Sequence, residues 1–282
     1  MIYKKIIVSV MEMDKKINQK KESLISDLKT LDSLLIAFSG GVDSSFLLVI
    51  AHQVIGENVL AATASSATYP YREQIEAIEF VKKRGIRHII FKSDEVNLPE
   101  FASNSPERCY YCKKLLSFEL KKIADEQGIN HIALASNMDD LGDYRPGMEA
   151  TREMGIIEPL IKAQLTKEEI RYLSKEMGLP TWDKPAMACL ASRIPYGEPV
   201  TQEKLKMVEE AENLLIDRGF DQCRVRHFDS IAKIEVHPNE LLKIIGKDIR
   251  EEIVRRYREI GFLYVTIDLE GYVTGSLNRF IQ

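Results

Sequence analysis

The stretch Leu34-Leu35-Ile36-Ala37-Phe38-Ser39-Gly40-Gly41-Val42-Asp43-Ser44-Ser45 decides the fold of this chain. It begins as a short apolar run, which is typical of a strand buried on both faces. Gly40 and Gly41 predict a turn, and the apolar residues after Ser45 follow a helical pattern. A strand, a glycine turn and a helix bring backbone N–H groups and the positive end of a helix dipole to one point, which favours bound phosphate. The sequence therefore predicts a phosphate-binding loop at residues 39–45.

A simpler interpretation makes Asp43 or Ser44 the N-cap of the helix and gives the loop no ligand. The string is neither a dinucleotide fingerprint nor a Walker A loop, which needs a lysine before the final serine. Ser39-Gly-Gly-Val-Asp-Ser-Ser45 resembles the PP-loop of the ATP pyrophosphatase superfamily. That resemblance implies a grip on the β- and γ-phosphates of ATP, release of pyrophosphate and transfer of AMP, with Asp43 taking part in catalysis. The expected ATP-binding residues are Ser39, Gly40, Gly41, Val42, Asp43, Ser44, Ser45 and, at the end of the next strand, Ala64.

Bulk composition is that of a globular protein: 282 residues, 45% hydrophobic and 29% charged. No apolar run approaches the ~18 residues that would span a bilayer, and residues 1–21 do not read as a signal peptide, so we expect a cytoplasmic protein without a membrane partner. The net charge of −4 argues against broad nucleic-acid binding. Four cysteines in such a chain are not expected to form structural disulfides.

Apolar runs alternate with helical patterns along the first part of the chain, which predicts an α/β fold with a parallel sheet. We expect a domain at 1–180 and a smaller α+β domain at 181–282, preceded by an irregular, proline-rich loop that carries Cys189. Ligands of such sheets lie at the carboxyl ends of the strands, where residues 65–72, 93–112 and 137–145 should join the phosphate loop. Beyond the helix that follows the phosphate loop, the predicted helices are 11–31, 71–83, 113–126, 145–154, 166–177, 201–218, 240–245 and 249–260. The predicted strands after the first are 58–64, 88–92, 131–136, 156–160, 224–228, 231–237 and 263–269. Residues 2–10 fit either a strand or a loose leader.

The cysteines leave several kinds of site open. Cys109-Tyr-Tyr-Cys112 suits a redox dithiol, half of a zinc site, part of an iron–sulfur site, or two thiols without a role. Cys189 would bring a third thiolate. A zinc site would need Cys223 as a fourth ligand, but Cys223 borders an alternating strand, where a buried free thiol is more common. Three thiolates would instead hold a 4Fe–4S cluster with one iron open to a further ligand.

Charged residues suggest an anion site and a metal site. Arg224 and Arg226 are two apart on a predicted strand and share a face, so with Arg193 they suit a phosphate or a carboxylate, although a salt-bridged surface fits equally well. Asp139, Asp140 and Asp143 follow the fourth strand, where they could contact Mg²⁺ or substrate, or cap a helix.

Five segments together resemble the LarE family, PP-loop ATP-dependent sulfurtransferases of nickel-pincer nucleotide biosynthesis. The resemblance runs from Ser39 to Gly275. Its segments are Ser39-Gly-Gly-Val-Asp-Ser44, Asn137-Met-Asp-Asp-Leu-Gly-Asp-Tyr-Arg-Pro-Gly147, Cys189-Leu-Ala-Ser-Arg-Ile-Pro-Tyr-Gly197, Arg224-Val-Arg226 and Asp268-Leu-Glu-Gly-Tyr272.

The resemblance implies that ATP, with Mg²⁺, adenylates a carboxylate of pyridinium-3,5-biscarboxylic acid mononucleotide and that sulfur then displaces AMP. In one branch of the family the sulfur comes from a sacrificed cysteine matching Cys189. In the other, cysteines matching Cys109, Cys112 and Cys189 hold a 4Fe–4S cluster that passes on a bound sulfide, and the CxxC places this chain there. The implied substrate contacts are Arg193, Glu212, Arg224, Arg226, Asp143 and Arg145.

The resemblance further implies a homo-oligomer, described as a hexamer, and a supply of sulfur from sulfide or a cysteine desulfurase-type donor. The main rival function is a PP-loop tRNA thiolase with a cluster, but no Lys/Arg stripe with interleaved aromatics suggests an RNA surface. An ammonia-using synthetase would leave the cysteines idle. A nucleotide-binding or zinc-storage module would leave the phosphate loop without a reaction.

Overall fold

The computed structural model describes residues 2–142, 146–185, 188–273, 276 and 279, with the backbone alone for 2–13 and 146. They form two compact units, one within 1–65, 71–93 and 112–186, the other within 66–70, 94–111 and 187–282. The predicted domains 1–180 and 181–282 stay a prediction, because compact packing does not by itself show which segments fold independently.

The elements alternate in the order that the apolar pattern predicts. The helices are α1 (Ile2–Leu28), α2 (Val42–Ile55), α3 (Tyr71–Lys82), α4 (Pro99–Ala102), α5 (Arg108–Gln127), α6 (Pro146–Glu153), α7 (Pro159–Lys162), α8 (Lys167–Glu176), α9 (Gln202–Asp217), α10 (Leu241–Ile244) and α11 (Lys247–Ile260). The strands are β1 (Leu34–Ala37), β2 (Val59–Ser65), β3 (Arg87–Lys92), β4 (Ile132–Ala133), β5 (Cys223–Phe228), β6 (Ile231–Val236) and β7 (Tyr264–Ile267). Short 3₁₀ helices cover Gly56–Asn58, Glu95–Asn97, Met138–Gly142, Leu190–Arg193 and Pro238–Glu240.

Two local predictions need correction. The segment 156–160 is not a strand, because only Ile157 forms a bridge, to Ala133, before Pro159 opens α7. Proline has no N–H to give to a ladder but fits the first turn of a helix, which explains the change. The open question at residues 2–10 resolves to helix, since α1 starts at Ile2.

A four-stranded parallel sheet in the order β3-β2-β1-β4 forms the first unit and confirms the predicted α/β class. Alternate residues of β1 face opposite cores. Leu34 and Ile36 pack with residues of α1, α2, α3 and α8, whereas Leu35 packs with residues of β2 and α5. The sheet is thus covered by helices on both faces. Its strand order changes direction beside β1, because β2 lies on one side and β4 on the other, and such a switch opens a crevice at the carboxyl ends.

The second unit contains a three-stranded sheet in the order β5-β6-β7. Strands β5 and β6 pair antiparallel, from Cys223 opposite Val236 to Phe228 opposite Ile231. Helices α9 and α11 supply buried residues to the core that covers this sheet, among them Leu215 and Tyr257. Within the described residues, no helix has the length and apolar character that crossing a bilayer requires.

Candidate active site

The loop after β1 takes the conformation that the glycines predict. Gly40 lies in the left-handed region at φ +67°, and a Cβ there would stand 3.0 Å from the Cβ of Ala77. Helix α2 then starts at Val42 with Gly41 as its N-cap, and no side chain among the described residues caps it. The alternative in which Asp43 or Ser44 is the N-cap is therefore wrong, because both residues lie inside the first turn.

An uncapped helix start leaves donors available. The first backbone bond of α2 runs from the Ser45 N–H to the Gly41 carbonyl at 3.0 Å. Helix geometry gives the N–H groups of Val42, Asp43 and Ser44 no acceptor within the helix. Hydroxyl groups surround this turn: Ser39 Oγ and Ser44 Oγ are 3.1 Å apart, and the buried Ser45 Oγ has no hydrogen-bond partner among the described residues. Such an arrangement can bind a phosphate through backbone and hydroxyl donors together.

Two lysines near the loop were missed in the sequence. Lys167 Nζ lies 2.5 Å from Asp43 Oδ2, and Lys184 Nζ donates to the Gly40 carbonyl at 3.3 Å. Lys184 also pairs with Glu73 and Glu76 of α3, at 2.5 and 2.7 Å. Lys167 directly follows Thr166, the N-cap of α8, so the capping box was the one sequence signal that could have predicted its position. No local sequence pattern predicts the position of Lys184.

The pKa of the Asp43 carboxyl is shifted by effects of both signs, with a net rise. Burial raises the pKa of its carboxyl, Lys167 lowers it, Asp140 raises it and Asn137 lowers it slightly. The influence of Asn137 and Asp140 shows that the segment after β4 lies beside the loop after β1, as the strand order requires. A divalent cation would favour the charged form of this carboxylate, so the position suits Mg²⁺.

Carboxylates of the acidic segment after β4 accept two backbone hydrogen bonds. Asp140 Oδ2 accepts the N–H of Asn137 at 2.9 Å, and Asp139 Oδ2 accepts the N–H of Lys167 at 2.8 Å. A role in Mg²⁺ binding stays a prediction. Asp143 and Arg145, predicted to contact substrate, lie outside the described residues, and Ala64 sits in β2 opposite Phe91.

The cysteines all have free thiols, and three of them reach the surface at least in part. Cys109 and Cys112 are one turn apart at the start of α5, and Cys189 precedes the 3₁₀ turn at Leu190–Arg193. Desolvation by surrounding protein atoms raises the pKa of the Cys189 thiol, and the positive charge of Arg108 lowers this pKa in part. The thiol of Cys109 also raises the pKa of Cys189, which indicates that the two cysteines lie near each other. Across the described residues, no three Cys, His, Asp or Glu side chains form a group ready to hold a metal ion.

Cys223 is the buried free thiol that its strand position predicts. It is 2% exposed within the core of the second unit, and burial followed by the Glu212 charge raises its pKa to about 12. A thiol held protonated is a poor metal ligand, which argues against a four-cysteine zinc site.

A buried ion pair anchors the loop that carries Cys189. Arg193 Nε and Nη2 donate to the two carboxylate oxygens of Glu212 at 2.8 and 2.9 Å. Its Nη1 donates to the carbonyls of Ala188 and Cys189 at 2.7 and 3.1 Å. Burial disfavours the charged form, but Glu212 outweighs burial and raises the pKa of Arg193. The pair thus fixes the backbone around Cys189, while the predicted substrate contacts of Arg193 and Glu212 stay a prediction.

Arg224 and Arg226 lie two apart on β5, on one face as predicted. Arg226 forms a second bidentate pair, with Glu235 at 3.0 and 2.8 Å, and donates to the Ser192 carbonyl at 2.8 Å. Arg224 packs over the Tyr272 ring, 5.2 Å from its centroid. Burial and the neighbouring Arg193 lower the pKa of Arg224, so two guanidinium groups crowd this site, which an anion would relieve.

Comparison with known proteins tests the resemblance. The chain matches no protein-family model. It is 41% identical to an uncharacterized protein of Synechocystis sp. over 94% of this chain and 99% of the relative. It is 33% identical to the pyridinium-3,5-bisthiocarboxylic acid mononucleotide synthase of Lactiplantibacillus plantarum, over 92% of this chain and 94% of that enzyme. The chain belongs to the LarE family.

A more distant relative supports the fold of the first unit. A glutamine-hydrolyzing GMP synthase component of Methanococcus maripaludis is 24% identical over 73% of this chain and 71% of that protein. It is a PP-loop relative, which agrees with the strand, glycine turn and uncapped helix seen at residues 34–55. This chain thus combines the loop after β1 with a second unit that holds Cys189.

Proposed function

We propose that this protein is an ATP-dependent sulfurtransferase that converts carboxylates of pyridinium-3,5-biscarboxylic acid mononucleotide into thiocarboxylates. The observation that carries the proposal is the uncapped start of α2 at the switch point of a parallel sheet, in a chain of the LarE family. A carboxylate is a poor electrophile. Adenylation by ATP gives it a good leaving group, and the protein must hold the pyrophosphate that departs.

Residues of the first unit supply that stabilisation. Amides of Val42, Asp43 and Ser44 would bind the β- and γ-phosphates, and Asp43 would bind Mg²⁺. Lys184 would exchange its carboxylate partners for a phosphate, since its Nζ already lies 3.3 Å from the Gly40 carbonyl. Removing one preorganised donor of this kind typically costs about 2.7–4 kcal/mol of barrier.

Anionic groups of the substrate would meet the arginines of the second unit. Arg224 would be one of these contacts, since it packs over the Tyr272 ring and lies near Arg193, while Arg193 and Arg226 each hold a buried carboxylate in a bidentate pair. The positive charge of Arg193 beside Arg224 would add to the attraction for a phosphate or a ring carboxylate.

Cys109, Cys112 and Cys189 would hold a 4Fe–4S cluster, which when bound supplies the sulfur nucleophile. The chemistry of the donor set fits: all three cysteines are free of disulfides, two share a helical turn, and Cys189 and Cys109 are exposed. Burial raises the pKa of the Cys189 thiol, and the positive charge of Arg108 offsets part of that rise. Sulfide or a cysteine desulfurase-type donor would renew the sulfur.

A second candidate uses the thiol of Cys189 itself as the sulfur source, because Cys189 is exposed and its backbone is anchored. Mass spectrometry after turnover distinguishes the two. A loss of about 34 Da at Cys189, the mass of H₂S, would show that the cysteine is consumed. An intact Cys189 supports renewal of the sulfur.

The test of the function is product analysis under anaerobic conditions. Protein, ATP, Mg²⁺, sulfide and the carboxylated mononucleotide should yield AMP, pyrophosphate and a thiocarboxylate, with the sulfur coming from the added sulfide. Formation of ADP would contradict the proposal, as would the same AMP yield with transfer RNA as the acceptor. Metal analysis tests the cluster: about four irons per chain are expected, fewer after Cys189→Ala, and bound zinc without iron would exclude it.

A further inference from the structure

Asn104 joins the segment before Cys109 to the segment after Cys189, both within the second unit. Its side chain is fully buried, and its Nδ2 donates to the carbonyls of Pro195 and Glu198 at 2.7 and 2.8 Å, with Ile194 at 3.3 Å. Its own carbonyl accepts the N–H of Gly197 at 3.1 Å. One asparagine therefore holds the whole turn at residues 194–198.

The backbone of Asn104 takes a conformation that needs support. Its φ of +57° is in the left-handed region, which asparagine tolerates better than most residues. A second bond between the same segments, from the Val200 N–H to the Ala102 carbonyl at 2.9 Å, continues the contact. The conformation points both the amide and the carbonyl of Asn104 to the 194–198 turn, so the contact is specific to this residue type.

Arg108 extends the contact to the cysteine next to it. One of its guanidinium nitrogens donates to Asn104 Oδ1, and the group lies over the Tyr196 ring, 4.9 Å from its centroid. Arg108 is 5% exposed. Arg108 therefore holds its chain neighbour Cys109 against the turn at residues 194–198. That turn comes after Cys189 in the chain, separated from it by the 3₁₀ helix Leu190–Arg193.

We propose that Asn104 and Arg108 are positioning residues that set the separation of the Cys109 and Cys189 thiols. The inference rests on the proposed function, in which these two sulfur atoms act together. Neither residue is assigned a chemical step, although the Arg108 charge also acts on the Cys189 thiol. They act by tying the chain on one side of each cysteine to a shared turn, while Arg193 and the Thr68 carbonyl, which accepts the Leu190 N–H at 2.8 Å, hold Cys189 from other directions.

The test measures the separation of the thiols in the full-length protein without metal, ATP or substrate. Dibromobimane crosslinks two nearby thiols, and peptide mass spectrometry identifies the pair. A Cys112→Ser parent prevents Cys109 from reacting with its own neighbour. The variants are Asn104→Ala and Arg108→Lys, and monobromobimane labelling corrects for the reactivity of each single thiol.

Tyr257→Phe is the matched control. It removes another buried hydrogen bond of the second unit, from the Tyr257 hydroxyl to the Ala211 carbonyl at 3.0 Å, without touching either cysteine segment. It should lower thermal stability and leave the crosslinking rate unchanged. The two test variants should slow the corrected formation of the Cys109–Cys189 crosslink by about tenfold, because fixed proximity is what makes the second reaction fast.

Test variants that crosslink at the parent's rate would overturn the proposal, and so would a control that slows equally. A parent that gives no Cys109–Cys189 product would also overturn it. If Asn104→Ala does not fold, the milder Arg108→Lys decides. Because this assay contains no ATP or substrate, its failure is separate from a failure of the AMP-forming reaction.

Discussion

The phosphate loop and the Cys189 loop are built in opposite ways. Residues 39–45 take their shape from neighbours in the chain: a buried strand, a glycine at φ +67° and a helix start that presents its own amides. The Cys189 loop is irregular apart from one 3₁₀ turn. It is held by side chains far away in the chain, Glu212 through Arg193 and Asn104 at the following turn. One loop is a local structure, and the other depends on the packing of its unit.

This difference decides how each loop should respond to substitution. A loop that is shaped by its own residues should change conformation when one of those residues is replaced, while the rest of its unit keeps its structure. A loop held by buried polar side chains loses its shape when a single distant partner is removed, because the other partner is left buried without compensation. The predictions below test that contrast.

Arg193→Ala should have the largest effect. It leaves the Glu212 carboxylate buried and unpaired, since the side chains of the pair are only 3% and 8% exposed. Breaking such a pair typically costs about 3–5 kcal/mol in the free energy of unfolding. Urea denaturation of the full-length protein measures it, and the reactivity of Cys189 should change in parallel because two carbonyls beside it lose their donor.

An exposed pair on the same helix provides the control. Lys206→Ala removes the partner of Glu210, where the side chains are 76% and 49% exposed, and should change stability by less than about 0.5 kcal/mol. Replacing both members of the buried pair with methionine should recover much of the loss. If Arg193→Ala costs no more than Lys206→Ala, the Cys189 loop does not depend on this pair.

The same difference explains why sequence patterns predict the phosphate loop but do not predict the contacts that hold the Cys189 loop. The apolar run, Gly40 and the helical pattern after Ser45 are adjacent in the chain, as is the capping box at Thr166, whose two hydrogen bonds are both present. The pairing of Arg193 with Glu212 joins residues that are 19 positions apart in the chain, and Asn104 contacts residues that lie 90 to 94 positions after it. No periodicity encodes such contacts. Resemblance supplied Cys189, Arg193 and Glu212 as site residues, but it did not supply Lys167, Lys184, Asn104 or Arg108.

Gly40→Ala should have the next largest effect, within the local loop. An L-residue in the left-handed region costs roughly 1–2 kcal/mol, and the added Cβ would meet Ala77 at 3.0 Å. The loop should shift, so AMP formation should fall further than stability does. Gly41→Ala is the matched control, because Gly41 has φ −77° and a Cβ there meets only Ser39 Oγ, at 3.4 Å. Equal unfolding midpoints for the two variants would contradict the strain at Gly40.

Thr166→Ala should cost about 1 kcal/mol by removing the N-cap of α8. The same turn carries Lys167, so fraying should loosen its contact with Asp43. Thr201→Ala provides the comparison in the second unit. Thr201 caps α9 by accepting the Lys204 N–H, but it has no capping box. Thermal unfolding should show a loss for Thr166→Ala at least as large as for Thr201→Ala, and the reverse order would show that the reciprocal bond from Glu169 adds nothing.

Asp43→Asn should have the smallest effect on stability and the opposite sign. Burial raises the pKa of Asp43 above its ordinary value of 3.8, so the folded state binds this proton more tightly than the unfolded chain does. The resulting stability is present below pH 3.8 and is lost as pH rises through the folded-state pKa. Asparagine does not ionise, so the variant should gain on the parent as pH rises, by about 0.5 kcal/mol at pH 7, while losing AMP formation. Lys167→Met should act in the other direction, because it removes the cation that lowers this pKa and should deepen the loss of stability with pH. A parent and an Asp43→Asn variant with parallel stability curves between pH 3 and 8 would show that the Asp43 carboxylate is not destabilised by the loop that holds it.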